Sequence, residues 1–145
     1  MRKNGTIPKL LKLKDNRKKE IELEVKRASD KVDREKMKLK VLEKDLTDSL
    51  EFFHEKNIEG PMDVDSVNSY YDFFSRINGR IGEQKKIHDQ HKSDLQSLKN
   101  NLLDAHKDKK VFEILNEKEI RQDLREQRNC EQKEADFLAM TRRLK

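Results

Sequence analysis

His88 and His91, three residues apart with Asp89 between them, come nearest in this chain to a metal-ligand spacing. Imidazoles one helical turn apart can share a zinc ion, but a tetrahedral site needs further thiolates, imidazoles or carboxylates converging on it. The sequence supplies no such set, so the pair reads as solvated histidines. Cys130 is the only cysteine; it excludes an intrachain disulfide, and neither it nor Met37 or Met140 has neighbours that point to redox or ligand chemistry. There is no Gly-rich phosphate loop, no G-x-S-x-G and no pocket-forming core. The chain is therefore not expected to be an enzyme, and no metal or cofactor is expected.

The chemistry on offer is contact chemistry, and it falls into two groups. Phe52, Phe53, Tyr70, Tyr71, Phe73 and Phe74 are six of the eight aromatics, gathered around one turn. A two-helix seam has room for Phe53, Tyr70 and Phe74, which leaves Phe52, Tyr71 and Phe73 to face outward as a contact surface. The second group is basic. Residues 1–20 carry eight basic groups against two acidic ones, and residues 121–145 carry seven against five, although the whole chain is only +5. The excess at the chain ends points to an acidic partner surface there.

These groups must be positioned by helices. Only 32% of the chain is hydrophobic and 43% is charged, too little apolar material for a globular core. The apolar residues are nevertheless phased. From Ile21 through Val25, Ala28, Val32, Glu35, Leu39, Leu42, Leu46 and Ser49 to Phe53 the steps alternate between four and three. A stripe that averages 3.5 residues per step can be buried only against a partner helix, as a coiled-coil seam. The same frame runs back through Lys18, Lys14 and Leu11 to Ile7, where the two lysines weaken it.

Thr6 is placed to cap helix 1 and Pro8 suits its first turn. The helix is expected over about 8–57, ended by Asn57-Ile58-Glu59-Gly60-Pro61, where Gly60 tolerates a positive φ and Pro61 lacks an N–H. After a loop at about 58–64, Asp63 or Asp65 can cap helix 2, expected over about 65–142. Its stripe runs Val67, Tyr70, Phe74, Ile77, Ile81, Gln84, His88, His91, Leu95, Leu98, Leu102, Ala105, Lys109, Phe112. It stays in phase across Gly79 and Gly82, which argues against a turn at Asn78-Gly79.

Two long seams joined by a short loop must lie antiparallel, giving an all-α fold: a long two-helix coiled coil, or αα-hairpin, forming one elongated domain. Folding about the loop pairs residues whose numbers add to roughly 120. Phe53 then meets Val67, Val32 meets His88, Ile7 lies near Phe112 or Glu113, and Glu35 joins Gln84, Lys85 and His88 in one polar layer that penalises slipped registers. Helix 2 is roughly 78 residues, near 117 Å, against roughly 50 and near 75 Å for helix 1 at ~1.5 Å per residue. Residues 116–145 therefore overhang. There Ile114, Leu115, Ile120, Leu124, Ala135, Phe137 and Leu138 leave the earlier frame, as if for a different partner.

With this architecture in place, the chain resembles the FliJ family, the flagellar type III export component associated with the export ATPase, and its virulence-secretion relatives of the YscO type. The likeness rests on four stretches: Ile7-Pro8-Lys9-Leu10-Leu11-Lys12-Leu13; Tyr70-Tyr71-Asp72-Phe73-Phe74 leading to Ile77, Ile81 and Gln84; Lys109-Lys110-Val111-Phe112-Glu113-Ile114-Leu115; and Glu131-Gln132-Lys133-Glu134-Ala135-Asp136-Phe137-Leu138-Ala139. It implies a cytoplasmic coiled coil, similar to that of the rotary ATP synthase γ subunit, that binds the hexameric export ATPase and the cytoplasmic part of the export gate membrane protein. Escort of export chaperones is also implied. The tip-half positions that match are Leu42, Tyr70, Phe73, Ile77 and Gln84; Arg80 and the lack of tyrosine in the tip half of helix 1 depart from the family pattern. Phe52 and Tyr71 join the gate-binding candidates as outward aromatics, and Lys12, Arg17, Arg121, Arg125 and Arg128 are the candidate ATPase contacts.

Two other functions compete. A generic coiled-coil scaffold or oligomerisation module would self-associate through its overhang and need no ATPase. A nucleic-acid binder would use the basic ends, with affinity falling steeply in salt, but the basic run lacks interleaved aromatics, so nucleic acid is not the expected partner. No apolar h-region opens the chain and no apolar run nears the ~20 residues of a span, so the expectation is a soluble, cytoplasmic protein without membrane insertion; the resemblance further implies peripheral association with the export apparatus at the inner membrane.

Overall fold

A computed structural model of the chain describes residues 5–144. It contains two helices, α1 (Thr6–Glu59) and α2 (Val64–Arg143), packed against each other as a helical hairpin. Both follow directly from the phased apolar stripes. On α1 the stripe positions after Ile21, namely 25, 28, 32, 35, 39, 42, 46, 49 and 53, are all half-buried, with Ser29 beside them; on α2 the buried and half-buried positions include 67, 70, 74, 77, 81, 84, 88, 91, 95, 98, 102, 105, 109 and 112. Only Ile21, Phe74, Ile77, Ile81 and Leu95 are truly buried among the described residues. That is the thin core of a two-helix seam, in which each side chain meets one partner helix and water lies on either flank.

The turn is tighter than its composition suggests. Helix α1 opens at Thr6 itself, so Thr6 belongs to the first turn rather than standing ahead of it as a cap. Gly60 does not use a positive φ; Pro61, with no N–H to offer, is what stops α1. Asp63 is the cap of α2: its carboxylate accepts the Ser66 N–H at 3.0 Å, and its main-chain carbonyl accepts the Val67 N–H at 3.1 Å. Hydrogen bonding from the Ser66 side chain, and then from its main-chain N–H, holds the Asp63 carboxyl below its ordinary pKa, since both favour the ionised form. Asp65 follows in the first turn, where its charge meets the positive end of the helix dipole.

Packing groups the chain into two compact units. One is Leu23–Asn100, containing the turn; the other joins the segment before Leu23 to the segment from Asn101 on, and so holds the outer ends of both helices. Arg2 and Lys3 of the basic opening lie outside the described residues.

Candidate functional site

In the turn unit, the aromatic group is a single connected cluster centred on Phe53. Its ring lies 5.1 Å from that of Tyr70, 5.7 Å from that of Phe74 at a right angle, and 6.4 Å from that of Tyr71. Phe53 thus sits in the seam edge-on to Tyr70 and Phe74, and Val67, the neighbour the register expects for it, is half-buried on the same stripe of α2. Phe52 and Tyr71 are 48% and 61% exposed. Phe73 is half-buried rather than outward, since its edge packs on Phe74 at 5.9 Å.

The same unit carries two adjoining grooves between the helices. The larger, about 680 Å³, is lined by Asp48, Ser49 and Phe52 of α1 and by Asp65, Ser66, Ser69, Tyr70 and Phe73 of α2. The smaller, about 340 Å³, runs on through Leu42, Asp45, Arg76, Ile77 and Arg80. Leu42, Phe52, Tyr70, Phe73 and Ile77 are thus brought together in these grooves, whereas Tyr71 is absent from both linings. Ile77 is 5% exposed and mostly spent on packing. The sequence reading missed the charged rim of Asp45, Asp48, Asp65, Arg76 and Arg80. Its signal was there: Asp45, Asp48 and Phe52 are three and four residues apart on α1, as are Phe73, Arg76 and Arg80 on α2.

Gln84 sits at the polar layer. Its amide donates to the Glu35 carboxylate and, at 3.1 Å, to the Glu35 main-chain carbonyl; Lys38 reaches the same carboxylate at 3.2 Å. The Gln84 hydrogen bond, then that from Lys38, keeps the Glu35 carboxyl below its ordinary pKa. His88 and His91 are half-buried one and two turns further on, and Lys85 is exposed. Among the described residues no group of three or more His, Cys, Asp or Glu is placed to hold a metal ion.

In the unit of helix ends, α1 and α2 are joined by charge. Lys109 reaches Asp15 at 2.8 Å, Lys19 reaches the same carboxylate at 3.1 Å, and Lys14 reaches Asp108 at 3.5 Å while lying 5.6 Å over the Phe112 ring. Hydrogen bonds from Lys109 and Lys19 lower the Asp15 pKa, and Asp15 in turn raises that of Lys109. Phe112 is thus engaged by Lys14. Lys12, Arg17, Arg121, Arg125 and Arg128 are all exposed. Arg17 is occupied by Glu20 at 3.3 Å, but no ion pair among the described residues engages the other four. The nearby acids are held by glutamines instead, through Gln122–Glu126, Gln127–Glu131 and Gln132–Asp136 bonds. Arg121, Arg125 and Arg128 form one row on α2 without an ion pair among the described residues.

The helical hairpin, with an aromatic, charge-rimmed groove in one unit and a basic row in the other, is that of a coiled-coil protein. The model of the flagellar FliJ protein family matches residues 4–144, nearly the whole chain, and the chain belongs to that family. It is thus a flagellar-export-associated protein. No curated protein and no solved structure gave a significant match. No helix among the described residues is long and apolar enough to cross a membrane.

Proposed function

We propose that the chain is a coiled-coil stalk of the flagellar export machinery, docked by its basic helix ends into the hexameric export ATPase and by its aromatic groove onto the cytoplasmic part of the export gate. It catalyses nothing itself; it couples the ATPase to export mechanically and allosterically, associates peripherally with the apparatus at the inner membrane, and escorts export chaperones. The observation that carries the reading is the division of contact chemistry between the two units of a family member: exposed arginines at the helix ends, aromatics and carboxylates at the turn. Acidic surfaces of a ring-shaped ATPase suit the first, since exposed charge steers and orients association.

The test is ATP hydrolysis by the cognate hexameric export ATPase with and without this protein, beside a variant carrying Lys12→Glu, Arg17→Glu, Arg121→Glu and Arg125→Glu. Stimulation by the natural chain that is lost in the variant supports the stalk. Absence of stimulation at stoichiometric excess replaces it with a passive scaffold.

A further inference from the structure

The larger groove of the turn unit carries charge of one sign. Asp48 from α1 and Asp65 from α2 line it together with the rings of Phe52, Tyr70 and Phe73, and no lysine or arginine does. Both carboxylates are exposed. Among the described residues no ion pair or side-chain hydrogen bond engages either, the Ser69 hydroxyl donating instead to the main-chain carbonyl of Asp65. The surroundings do not supply the missing cation. Residues 41–76 hold nine acidic groups against three basic ones, a local −6 in a chain that is +5 overall. Of the three, Lys56 is held by Glu59 at 3.7 Å and by the Phe52 ring, whose centre is 5.6 Å away. Lys44 lines neither groove, and Arg76 belongs to the smaller one, where Arg80 joins it beside Asp45 and Asp48.

We infer that the larger groove seats an arginine-bearing segment of a partner protein, the guanidinium pairing with Asp48 and Asp65 and stacking on the aromatic rings. Arginine is the side chain that answers both features at once. Its planar fork matches carboxylates, it is weakly hydrated and always charged, and its face packs on aromatic rings. A volume of about 680 Å³ lies in the range that encloses several side chains rather than one.

Other occupants fit less well. An anion would meet two carboxylates, and the Ser66 N–H at the start of α2 is already given to Asp63. A purely apolar helix would strip water from Asp48, Asp65 and the Ser66 and Ser69 hydroxyls without replacing it. Two copies of this chain joined groove to groove would set like charges together. The exposed row of Arg121, Arg125 and Arg128 on a second copy has the right chemistry, but that contact is heterologous and does not close, so it would string copies into a polymer, against the repulsion of their net positive charge. The inference stands apart from the reading of the export gate, because any partner that offers such a segment satisfies it.

The chain has no tryptophan, and its two tyrosines are Tyr70 and Tyr71. With Tyr71→Phe in the full chain, emission comes from Tyr70 alone, inside the groove lining. The probe is a capped hexapeptide that alternates leucine and arginine; the control carries citrulline for arginine, keeping the shape and losing the charge. At physiological ionic strength, where attraction between distant exposed charges is screened, the arginine peptide should change Tyr70 emission saturably, and the citrulline peptide should bind roughly tenfold or more weakly. Asp48→Asn with Asp65→Asn should remove the difference between the peptides. Asp30→Asn with Asp33→Asn, which takes the same charge from exposed positions of α1 outside the groove, should leave the difference intact. All four positions are exposed, and circular dichroism checks that each variant folds. No saturable change, equal binding of the two peptides, or equal loss in the Asp30→Asn, Asp33→Asn variant overturns the assignment. Self-association of the free chain in sedimentation, removed by Asp48→Asn with Asp65→Asn, overturns the separate partner in favour of a second copy.

Discussion

The amide of Gln84 bridges the seam to Glu35, donating to its carboxylate and to its main-chain carbonyl at once. A carboxylate half-buried between helices is tolerable only while such donors satisfy it. Gln84→Leu should therefore lower the thermal midpoint, because it leaves the acid with Lys38 alone. Glu35→Leu combined with Gln84→Leu should raise the midpoint above that of the natural chain, since two leucines complete the seam. The gain should come with looser register, seen as new species in sedimentation. A double variant that melts below the single Gln84→Leu variant would falsify this account of the layer.

The ionised pairs set two pH limits. Asp15, Glu35 and Asp63 all have folded pKa values below their ordinary ones, so the unfolded chain binds more protons in acid. Their stabilisation is fully present above the unfolded carboxylate values and is lost as pH falls through the folded ones. Lys109 is raised above its ordinary value, so its contribution holds below that value and disappears as pH climbs through the folded one. Thermal midpoints followed by circular dichroism should fall at both extremes. Asp15→Asn should flatten both limbs, because Asp15 is the largest cause of the Lys109 shift and itself titrates in acid. Flattening of the acid limb alone would mean that Lys109 draws its shift from Glu113 instead.

Much of this was legible from periodicity. A strict alternation of threes and fours leaves the helix no other way to bury Ile21, Val25 and Leu39, so helix, seam and antiparallel hairpin followed from spacing. The Glu35–Gln84 layer followed as well, since both polar interruptions lie equally far from the turn. Details that depend on side-chain volume did not follow. Phe73, expected to face outward, turned inward onto Phe74, because ring packing is decided by shape rather than by hydropathy. The rim of Asp45, Asp48, Asp65, Arg76 and Arg80 escaped notice because each residue alone reads as solvated helix surface; only the crossing of two helices makes a groove of them.

Gly79 and Gly82 offer a direct gain in stability. Both lie within α2 without a positive φ, and a Cβ added to either would meet nothing within 4 Å. Replacing each with alanine removes backbone freedom from the unfolded chain without strain, worth about 1 kcal/mol per site. Urea unfolding of the Gly79→Ala, Gly82→Ala variant should show a gain approaching about 2 kcal/mol. If its export activity falls while stability rises, the glycines are there for bending under load. If stability does not rise at all, the continuous helix is not the resting state of this segment.

The groove residues divide by what their removal can report. Ile77 is buried in the seam, so Ile77→Ala should cost roughly 2–3 kcal/mol through lost burial and an unfilled gap. Weakened gate binding in that variant would say little about contact. Tyr71 and Phe52 are exposed, and truncating Tyr71 to alanine should move stability by no more than about 0.5 kcal/mol. The two aromatics also separate the groove from the cluster's outer edge, because Phe52 lines the larger groove and Tyr71 lines neither. Measured against the cytoplasmic part of the export gate, Phe52→Ala should weaken binding at unchanged thermal midpoint. Tyr71→Ala should weaken it less if the groove is the contact and equally if the whole aromatic surface is. Loss only in Ile77→Ala, with Phe52→Ala and Tyr71→Ala both neutral, would remove the groove from the binding surface and leave it a by-product of the turn.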